Sequence, residues 1–310
     1  MRGEDGSLNS LQTEFGTFNF YQYIESSKEN LTLIFLSGIG INSSYYDFFN
    51  VIEELKSKTT LNLVTLDILG SGLSDKPINK ARTLDNITTE INCFLNTLDC
   101  RNIVFVCHSF SAVYILNLIN SRAYRKKYNV KGFIGIDPTS SHMMLHYASD
   151  FDYSLDEVLR IKEKRKEKDY FEIDKTDINP HLEKNLFDEC KNCYSNLVGN
   201  EFQISELLEA KKTVKTMDNI KLSEEIPSMS ILSTLNISDY NNFGNPYFNR
   251  NKYSLEIVLN SHHYVHWKQL NLVVDFIINF TKYDLWKVLW PLFQIHLCLH
   301  ISKGKYRENI

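Results

Sequence analysis

The chain has 310 residues, of which 43% are hydrophobic and 23% are charged, and its formal net charge is −4. This balance is typical of a globular protein, and it lacks the basic field that nucleic-acid binding requires. The polar, acidic N-terminal stretch carries no signal-peptide pattern, and several of the six cysteines lie in predicted core elements. We therefore expect a reduced, cytoplasmic protein that does not bind nucleic acid.

Short apolar runs alternate with segments of helical periodicity along most of the chain. The runs predict strands at 15–24, 31–36, 61–66, 102–106, 130–136, 229–232 and 255–259. The periodic segments predict helices at 44–55, 83–98, 112–119 and 270–280. Strands that alternate with helices at this spacing predict an α/β fold with a doubly wound, mostly parallel sheet.

The most informative stretch runs from Asn102 to Leu116. A buried strand is followed by a tight turn with Ser109 at its apex, and a helix follows the turn. Small residues, Cys107 and Ser111, stand two positions before and two positions after this serine. A strained turn between a strand and a helix leaves room only for small neighbours, so the stretch predicts a serine held at the apex of a sharp turn.

The pattern changes between residues 140 and 222, where charged residues become frequent and helical periodicity dominates. We interpret this segment as a helical cap inserted into the core, which would then comprise residues 15–139 and 223–282. The charged run 162–168 is typical of a solvated helix face. Residues 239–253 are rich in asparagine and predict a loop or a broken helix.

Four segments in this order resemble the motifs of the α/β-hydrolase family. They are the turn at 37–40, which is similar to H-G-x-G with serine first, the loop at 67–77, which is similar to D-x-x-G-x-G-x-S-D-x-P, the turn at 107–111, which is similar to G-x-S-x-G, and the segment 261–267, which is similar to G-H-x-x-x-x-E. The resemblance covers residues 15 to 280. It implies an α/β-hydrolase fold with a helical cap.

The resemblance also implies roles for individual residues. Ser109 would be the nucleophile and His263 the base that takes its proton, although His262 and His266 are close neighbours. The backbone N–H groups of Ile39 and Phe110 would form the oxyanion hole, which stabilises the tetrahedral intermediate.

The acidic partner of the histidine is where the sequence departs from the family pattern. The register after the strand at 229–232 favours Asn236, which cannot be an anion. Asp239 lies three residues later and is our first choice, because a bend of the loop would bring it within reach. Asp137, at the end of the preceding strand, is the second choice, and a site without an acid is the third.

These residues predict a serine hydrolase that cleaves an ester, a thioester or a related acyl bond of a small-molecule substrate. One alternative is a non-catalytic binding module on the same scaffold. It is favoured by Cys107 and Ser111, which replace the glycines of G-x-S-x-G, and by the absence of an acid at the usual position, 236. The other alternative is a lyase or an acyltransferase. We predict no cofactor and no metal, since Cys190 and Cys193 form only one pair of potential ligands.

The last segment, 283–310, lies beyond the expected end of the fold. It is apolar between residues 284 and 301 but is interrupted by charged and polar residues and by Pro291. We interpret it as a C-terminal appendage whose helix packs on the domain or on a protein partner. The alternative is a helix that contacts a membrane surface.

Overall fold

The structure is a computed structural model, which describes residues 6–24, 31–40, 42–98, 100–121, 124, 127–167 and 178–282. The predicted C-terminal appendage at 283–310 lies outside these residues. None of the helices in the described part of the chain is long and apolar enough to cross a membrane.

The described residues contain one sheet of eight strands. The strands are β1 (Ser7–Thr13), β2 (Gly16–Tyr23), β3 (Leu31–Leu36), β4 (Asn62–Leu66), β5 (Asn102–His108), β6 (Asn129–Ile136), β7 (Ser228–Ser233) and β8 (Leu255–Leu259). Their order in the sheet is β1-β2-β4-β3-β5-β6-β7-β8. β1 and β2 pair in antiparallel fashion, as do β2 and β4, and all the other pairs are parallel. The predicted mostly parallel sheet is confirmed.

Ten helices accompany these strands in the described part of the chain. They are α1 (Ser44–Lys58), α2 (Leu84–Thr97), α3 (Ser111–Asn120), α4 (Ser141–His146), α5 (Ser149–Glu167), α6 (Lys184–Leu197), α7 (Glu201–Thr216), α8 (Ile237–Phe243), α9 (Val265–Lys268) and α10 (Leu270–Thr281).

The central strand β5 shows why the sheet is covered on both faces. Its side chains alternate, so that Phe105 and Cys107 join the core on one side while Val104 and Val106 join the core on the other. The first side is filled by α2 and α3, and the second by α1 and α10. A strand buried on both faces has the continuous apolar sequence observed here.

Between β6 and β7 the described residues form helices α4 to α7 and no strand. Helix α7 lies against the loops that follow β3 and β4. Glu206 accepts a hydrogen bond from the backbone N–H of Gly40 (3.3 Å), and Asn200 at the start of α7 donates to the carbonyl of Gly70 (3.1 Å). Helix α7 therefore lies near the carboxyl ends of β3 and β4. The exact division into core and cap remains a prediction.

Two elements differ from the sequence-based expectation. Strand β1 lies in a stretch that the sequence analysis treated only as polar, because an edge strand exposed to solvent carries no continuous apolar run. Helix α8 occupies the first part of the segment predicted as a loop or broken helix, and Gly244, with a φ of 79°, ends it. The asparagines of that segment mostly lie after this glycine.

Candidate active site

Ser109 lies between the last residue of β5 and the first residue of α3. Its φ angle is 54°, in the left-handed region that residues other than glycine rarely adopt. Strain of this kind persists only where the surrounding structure enforces it, and it is frequent at functional sites. The predicted strand–turn–helix arrangement with a serine at its apex is therefore present in the structure.

Close packing around the turn explains its small residues. A Cβ atom added to Gly38, in the loop after β3, would lie 2.9 Å from the Cβ atom of Ser109. The hydroxyl of Ser111 donates hydrogen bonds to the carbonyls of Leu36 (3.0 Å) and His108 (2.8 Å), and so connects the turn to the end of β3. Cys107 is fully buried, and burial raises the pKa of its thiol well above the ordinary value, so this cysteine is inert.

His263 is paired with a buried carboxylate. Its Nδ1 atom lies 2.8 Å from Oδ2 of Asp137, and because a carboxylate only accepts, Nδ1 carries a proton, so that in the neutral ring the lone pair is on Nε2. The side chain of Asp137 is fully buried, whereas that of His263 is one-third exposed. A buried acid that fixes the tautomer of a partly exposed histidine is the arrangement that a catalytic base requires.

Three further hydrogen bonds hold the Asp137 carboxylate. Oδ1 accepts from the backbone N–H of Ser233 (2.9 Å), and Oδ2 accepts from the hydroxyl of Ser233 (2.9 Å) and from the side-chain amide of Asn236 (2.6 Å). Asp137 has a φ of 43°, so its backbone is strained in the same way as that of Ser109. Both oxygens of this buried carboxylate therefore accept hydrogen bonds, one at Oδ1 and three at Oδ2 when His263 is included.

Our first choice for the acid, Asp239, is not the residue that contacts His263. Its Oδ1 atom instead accepts a hydrogen bond from the hydroxyl of Tyr147 (3.1 Å). The physical reason is local: the chain does not bend back after β7 but enters α8 at Ile237, which carries Asp239 away in the first turn of the helix. Asp137, the second choice, projects directly from the end of β6.

The other two histidines of this segment have different surroundings. His262 is exposed, and its Nδ1 atom accepts a hydrogen bond from the backbone N–H of Tyr264 (3.1 Å). His266 is buried, and its Nε2 atom lies 2.8 Å from Oδ1 of Asp47. The structure therefore places only His263, of these three, against Asp137.

The hydroxyl of Ser109 lies 3.4 Å from the hydroxyl of Thr139, and within the described residues it makes no hydrogen bond to His263. The ring of His108, the residue before Ser109, lies 4.7 Å from the ring of His263. Hydrogen bonds between nucleophile and base are often long in the absence of substrate and shorten when it binds. A rotation about the Cα–Cβ bond of Ser109 would redirect its hydroxyl.

The two predicted oxyanion donors lie on either side of the serine. Phe110 is the first residue of the turn into α3, where backbone N–H groups have no acceptor within the helix. Ile39 lies in the loop after β3, between Gly38, which closely approaches Ser109, and Gly40, whose φ of 115° requires glycine. An oxyanion hole needs two such donors near the nucleophile, and the roles of both amides remain a prediction.

Sequence reasoning missed a second buried acid near the serine. Glu206 of α7 accepts from the hydroxyl of Tyr114 (2.6 Å) and from the backbone N–H of Gly40, the residue after Ile39. Burial raises the pKa of Glu206, although these hydrogen bonds oppose the shift. No motif surrounds Glu206, so only the packing of α7 on the β3 loop could reveal it. This carboxyl group lies close to the predicted oxyanion donors and adds a polar group to that region.

Comparison with known proteins supports the fold. No protein-family model matches the sequence, and no curated protein matches it significantly. Solved structures do match: Smu.1393c from Streptococcus mutans has a TM-score of 0.65 at 20% identity and covers 90% of this chain and 99% of its own. The epoxide hydrolase VrEH1 from Vigna radiata has a TM-score of 0.61 at 15% identity, with 90% and 98% covered. The haloalkane dehalogenase DatA from Agrobacterium tumefaciens C58 has a TM-score of 0.61 at 14% identity, with 91% and 98% covered.

These similar structures are members of the α/β-hydrolase fold, and each is similar over nine-tenths of this chain. The sheet is mostly parallel and carries helices on both faces, as the sequence motifs predicted. The chain therefore has the α/β-hydrolase fold.

Proposed function

We propose that this protein is a serine hydrolase that cleaves an ester, a thioester or a related acyl bond of a small molecule. The observation that carries the proposal is the hydrogen bond between His263 and the buried Asp137, formed beside a serine held at φ 54°. Structural likeness at these identities supports the fold alone, so the argument for activity rests on the residues.

The mechanism follows from the protonation states. Asp137 keeps the proton of His263 on Nδ1, so that Nε2 can remove the proton of the Ser109 hydroxyl as its oxygen attacks the acyl carbon. The amides of Ile39 and Phe110 would then donate to the oxyanion. His263 returns the proton to the leaving group, which departs and leaves an acyl-serine ester. A water molecule, activated by the same histidine, hydrolyses that ester and restores Ser109.

The names of the similar structures point to hydrolases of two other bond types, an epoxide and a carbon–halogen bond. In this chain a serine hydroxyl stands at the apex of the turn. Activated serine hydroxyls typically react with acyl groups, because the oxyanion that forms can be stabilised by nearby amides. This supports acyl-bond hydrolysis over the two activities in those names.

A fluorophosphonate probe tests the proposal, since it labels only activated serines. We expect labelling of the wild-type protein, measurable hydrolysis of a p-nitrophenyl ester, and loss of both in Ser109→Ala. Ser261→Ala is the matched control, because Ser261 is also buried near His263 and its hydroxyl has no partner among the described residues. Equal labelling of Ser109→Ala and wild type would refute the assignment of the nucleophile.

One observation favours a second candidate, a non-catalytic binding module. The Ser109 hydroxyl contacts Thr139 and not His263. If that contact persists in solution, the serine is not activated and the wild-type protein takes up no probe. Thr139→Val then distinguishes the two candidates: it removes the competing hydroxyl, so an active hydrolase should label at least as fast, whereas a binding module should remain unlabelled.

A further inference from the structure

A second group of ionisable residues lies behind the His263 segment. Asp47 on α1, His108 at the end of β5 and His266 on α9 are all buried, with at most 4% of their surface exposed. One potential ligand atom of each lies within 4.8 Å of those of the other two. The proposed hydrolase mechanism uses none of these three side chains.

The hydrogen bonds of the group fix where its protons are. His108 Nε2 lies 3.2 Å from the backbone carbonyl of His263, and His266 Nε2 lies 2.8 Å from Oδ1 of Asp47. Both oxygens only accept, so each histidine carries its proton on Nε2. Trp267 donates to the backbone carbonyl of Asp47 (3.0 Å) and fixes the start of α1 against α9.

Three lone-pair atoms then remain without a donor among the described residues. They are Oδ2 of Asp47, Nδ1 of His108 and Nδ1 of His266, and all three are buried. His108 Nδ1 and Asp47 Oδ2 face each other at 3.7 Å, which is too long for a hydrogen bond. Two buried acceptors that face each other are unfavourable unless a cation or a donor lies between them.

A proton added to Nδ1 of His108 would not stabilise the contact with Asp47 well. Such a proton would still lie too far from Asp47 for a good hydrogen bond at 3.7 Å. A metal ion suits the distance better, since two ligands about 2.1 Å from one tetrahedral ion lie about 3.4 Å apart.

We propose that Asp47, His108 and His266 form a binding site for a divalent transition-metal ion. Two imidazoles and one carboxylate are ligands that suit Zn²⁺ and its neighbours in the first row better than Mg²⁺ or Ca²⁺. The ion would be bound by the carboxylate of Asp47, by Nδ1 of His108 and by Nε2 of His266, whose proton it would displace. It would connect α1, β5 and α9 and hold the segment that carries His263. Because the site is buried, its role is structural, and it takes no part in the acyl chemistry.

The test begins with the wild-type protein, prepared without an affinity tag and dialysed against Zn²⁺ and then against metal-free buffer. We expect about one zinc ion per chain by elemental analysis. Replacement with Co²⁺ should give the visible absorption of a tetrahedral nitrogen–oxygen site. Wild-type protein that retains no metal and gives no such absorption would overturn the proposal, and the cluster would then be a hydrogen-bonding network only.

Variants locate the ion. Asp47→Asn and His266→Gln each remove a ligand, and we expect metal affinity to fall by more than about 10-fold in either one. The control is His142→Ala, because His142 also pairs with an aspartate, Asp218 (2.9 Å), but lies on the surface. Should one ligand variant fail to fold, the other gives the same information. Full metal content in both would exclude this site.

The outcome is independent of the proposed hydrolase activity. Ser109→Ala should bind the metal as tightly as wild type, and a chelator should lower the melting temperature of both proteins equally. If the protein proves to be inactive, the metal measurements are unaffected, and if it binds no metal, the labelling of Ser109 is unaffected. Equal melting temperatures with and without chelator, in a protein shown to lose its metal, would contradict the structural role.

Discussion

The side-chain amide of Asn236 donates a 2.6 Å hydrogen bond to the carboxylate of Asp137, on the oxygen that contacts His263. Asn236 stands where the resemblance to the α/β-hydrolases places the acid. In this chain the carboxylate that contacts His263 comes from the end of β6, one strand earlier, and the residue at the usual position donates to it.

The first prediction separates the two candidate acids. Asp137→Asn should lower kcat/KM for a p-nitrophenyl ester by about 10³–10⁴-fold, because the histidine would lose its fixed tautomer and the stabilisation of its charged form. Asp239→Asn is the matched control and should keep activity within a factor of about 3, since Asp239 contacts Tyr147 instead. Steady-state kinetics of both variants decide the matter. A larger loss in Asp239→Asn would restore our original choice.

A second prediction concerns the close approach of the β3 loop to the nucleophile. In Gly38→Ala the new Cβ atom would meet the Cβ atom of Ser109 at 2.9 Å, so the turn must shift. A displacement of this kind should lower kcat/KM by about 100-fold, while the protein stays folded. Kinetics and circular dichroism of the purified variant measure the two effects.

Gly244→Ala is the control for backbone strain alone. Gly244 has a φ of 79°, but a Cβ atom there would meet nothing within 4 Å. We expect it to lower the free energy of unfolding by about 1–3 kcal/mol and to leave kcat/KM unchanged. Similar kinetics in the two glycine variants would show that crowding at Ser109 is unimportant.

The third prediction concerns pH. Asp67 is buried after β4, where it accepts from the backbone N–H groups of Ser44 (2.6 Å) and Leu73 (2.8 Å). Burial raises its pKa from 3.8 to about 6 despite these bonds. A folded-state pKa above the unfolded value gives a stabilisation that is fully present below about pH 4 and is lost as the pH rises through about 6.

The contribution of Asp67 should therefore fall by about 3 kcal/mol across that window. The measurement is urea unfolding of wild type and Asp67→Asn at a series of pH values from 4 to 7. The free energy of unfolding of the wild type, taken relative to that of Asp67→Asn, should decrease as the pH rises, because all other groups titrate alike in both proteins. Parallel stability curves would contradict the raised pKa.

Much of the core could be predicted from sequence because its signals are local. β3 and β5 are continuous apolar runs, and Ser109 lies between a strand and a helix that the sequence shows plainly. The roles predicted for His263 and Ser109 rest on motif order. Edge strand β1 gave no such signal, since its side chains are mostly exposed and its pairing with β2 is formed by the backbone.

The acid could not be decided from sequence for a physical reason. β6 and β7 are neighbouring parallel strands and end on the same edge of the sheet. The order of the strands alone therefore does not show whether Asp137 or a residue near Asn236 contacts His263. The choice depends on the φ of 43° at Asp137 and on where α8 begins. Neither the φ angle of Asp137 nor the start of α8 can be recognised from a sequence pattern. Glu206 was missed similarly, because its neighbours Gly40 and Tyr114 are distant in sequence.

The last prediction uses the contact between Asp137 and Asn236. Asn236→Asp alone should lower activity at neutral pH, because two carboxylates in contact would compete for one proton and raise each other's pKa. The double variant Asp137→Asn/Asn236→Asp again pairs one carboxylate with one amide at this place. We expect it to recover at least about 10-fold of the activity lost in Asp137→Asn, since residue 236 lies next to the atom that contacts His263.

The control for this experiment is Asp137→Asn/Asp239→Glu, which keeps a carboxylate nearby but on the residue that contacts Tyr147. It should be as inactive as Asp137→Asn alone. Kinetics of the wild type, Asp137→Asn, Asn236→Asp and the double variant Asp137→Asn/Asn236→Asp form a double-mutant cycle. This cycle measures the coupling between positions 137 and 236 directly. Simple additivity of the two losses would mean that a carboxylate at position 236 cannot reach His263. The acid of this site would then be specific to β6, and the asparagine would serve only as its donor.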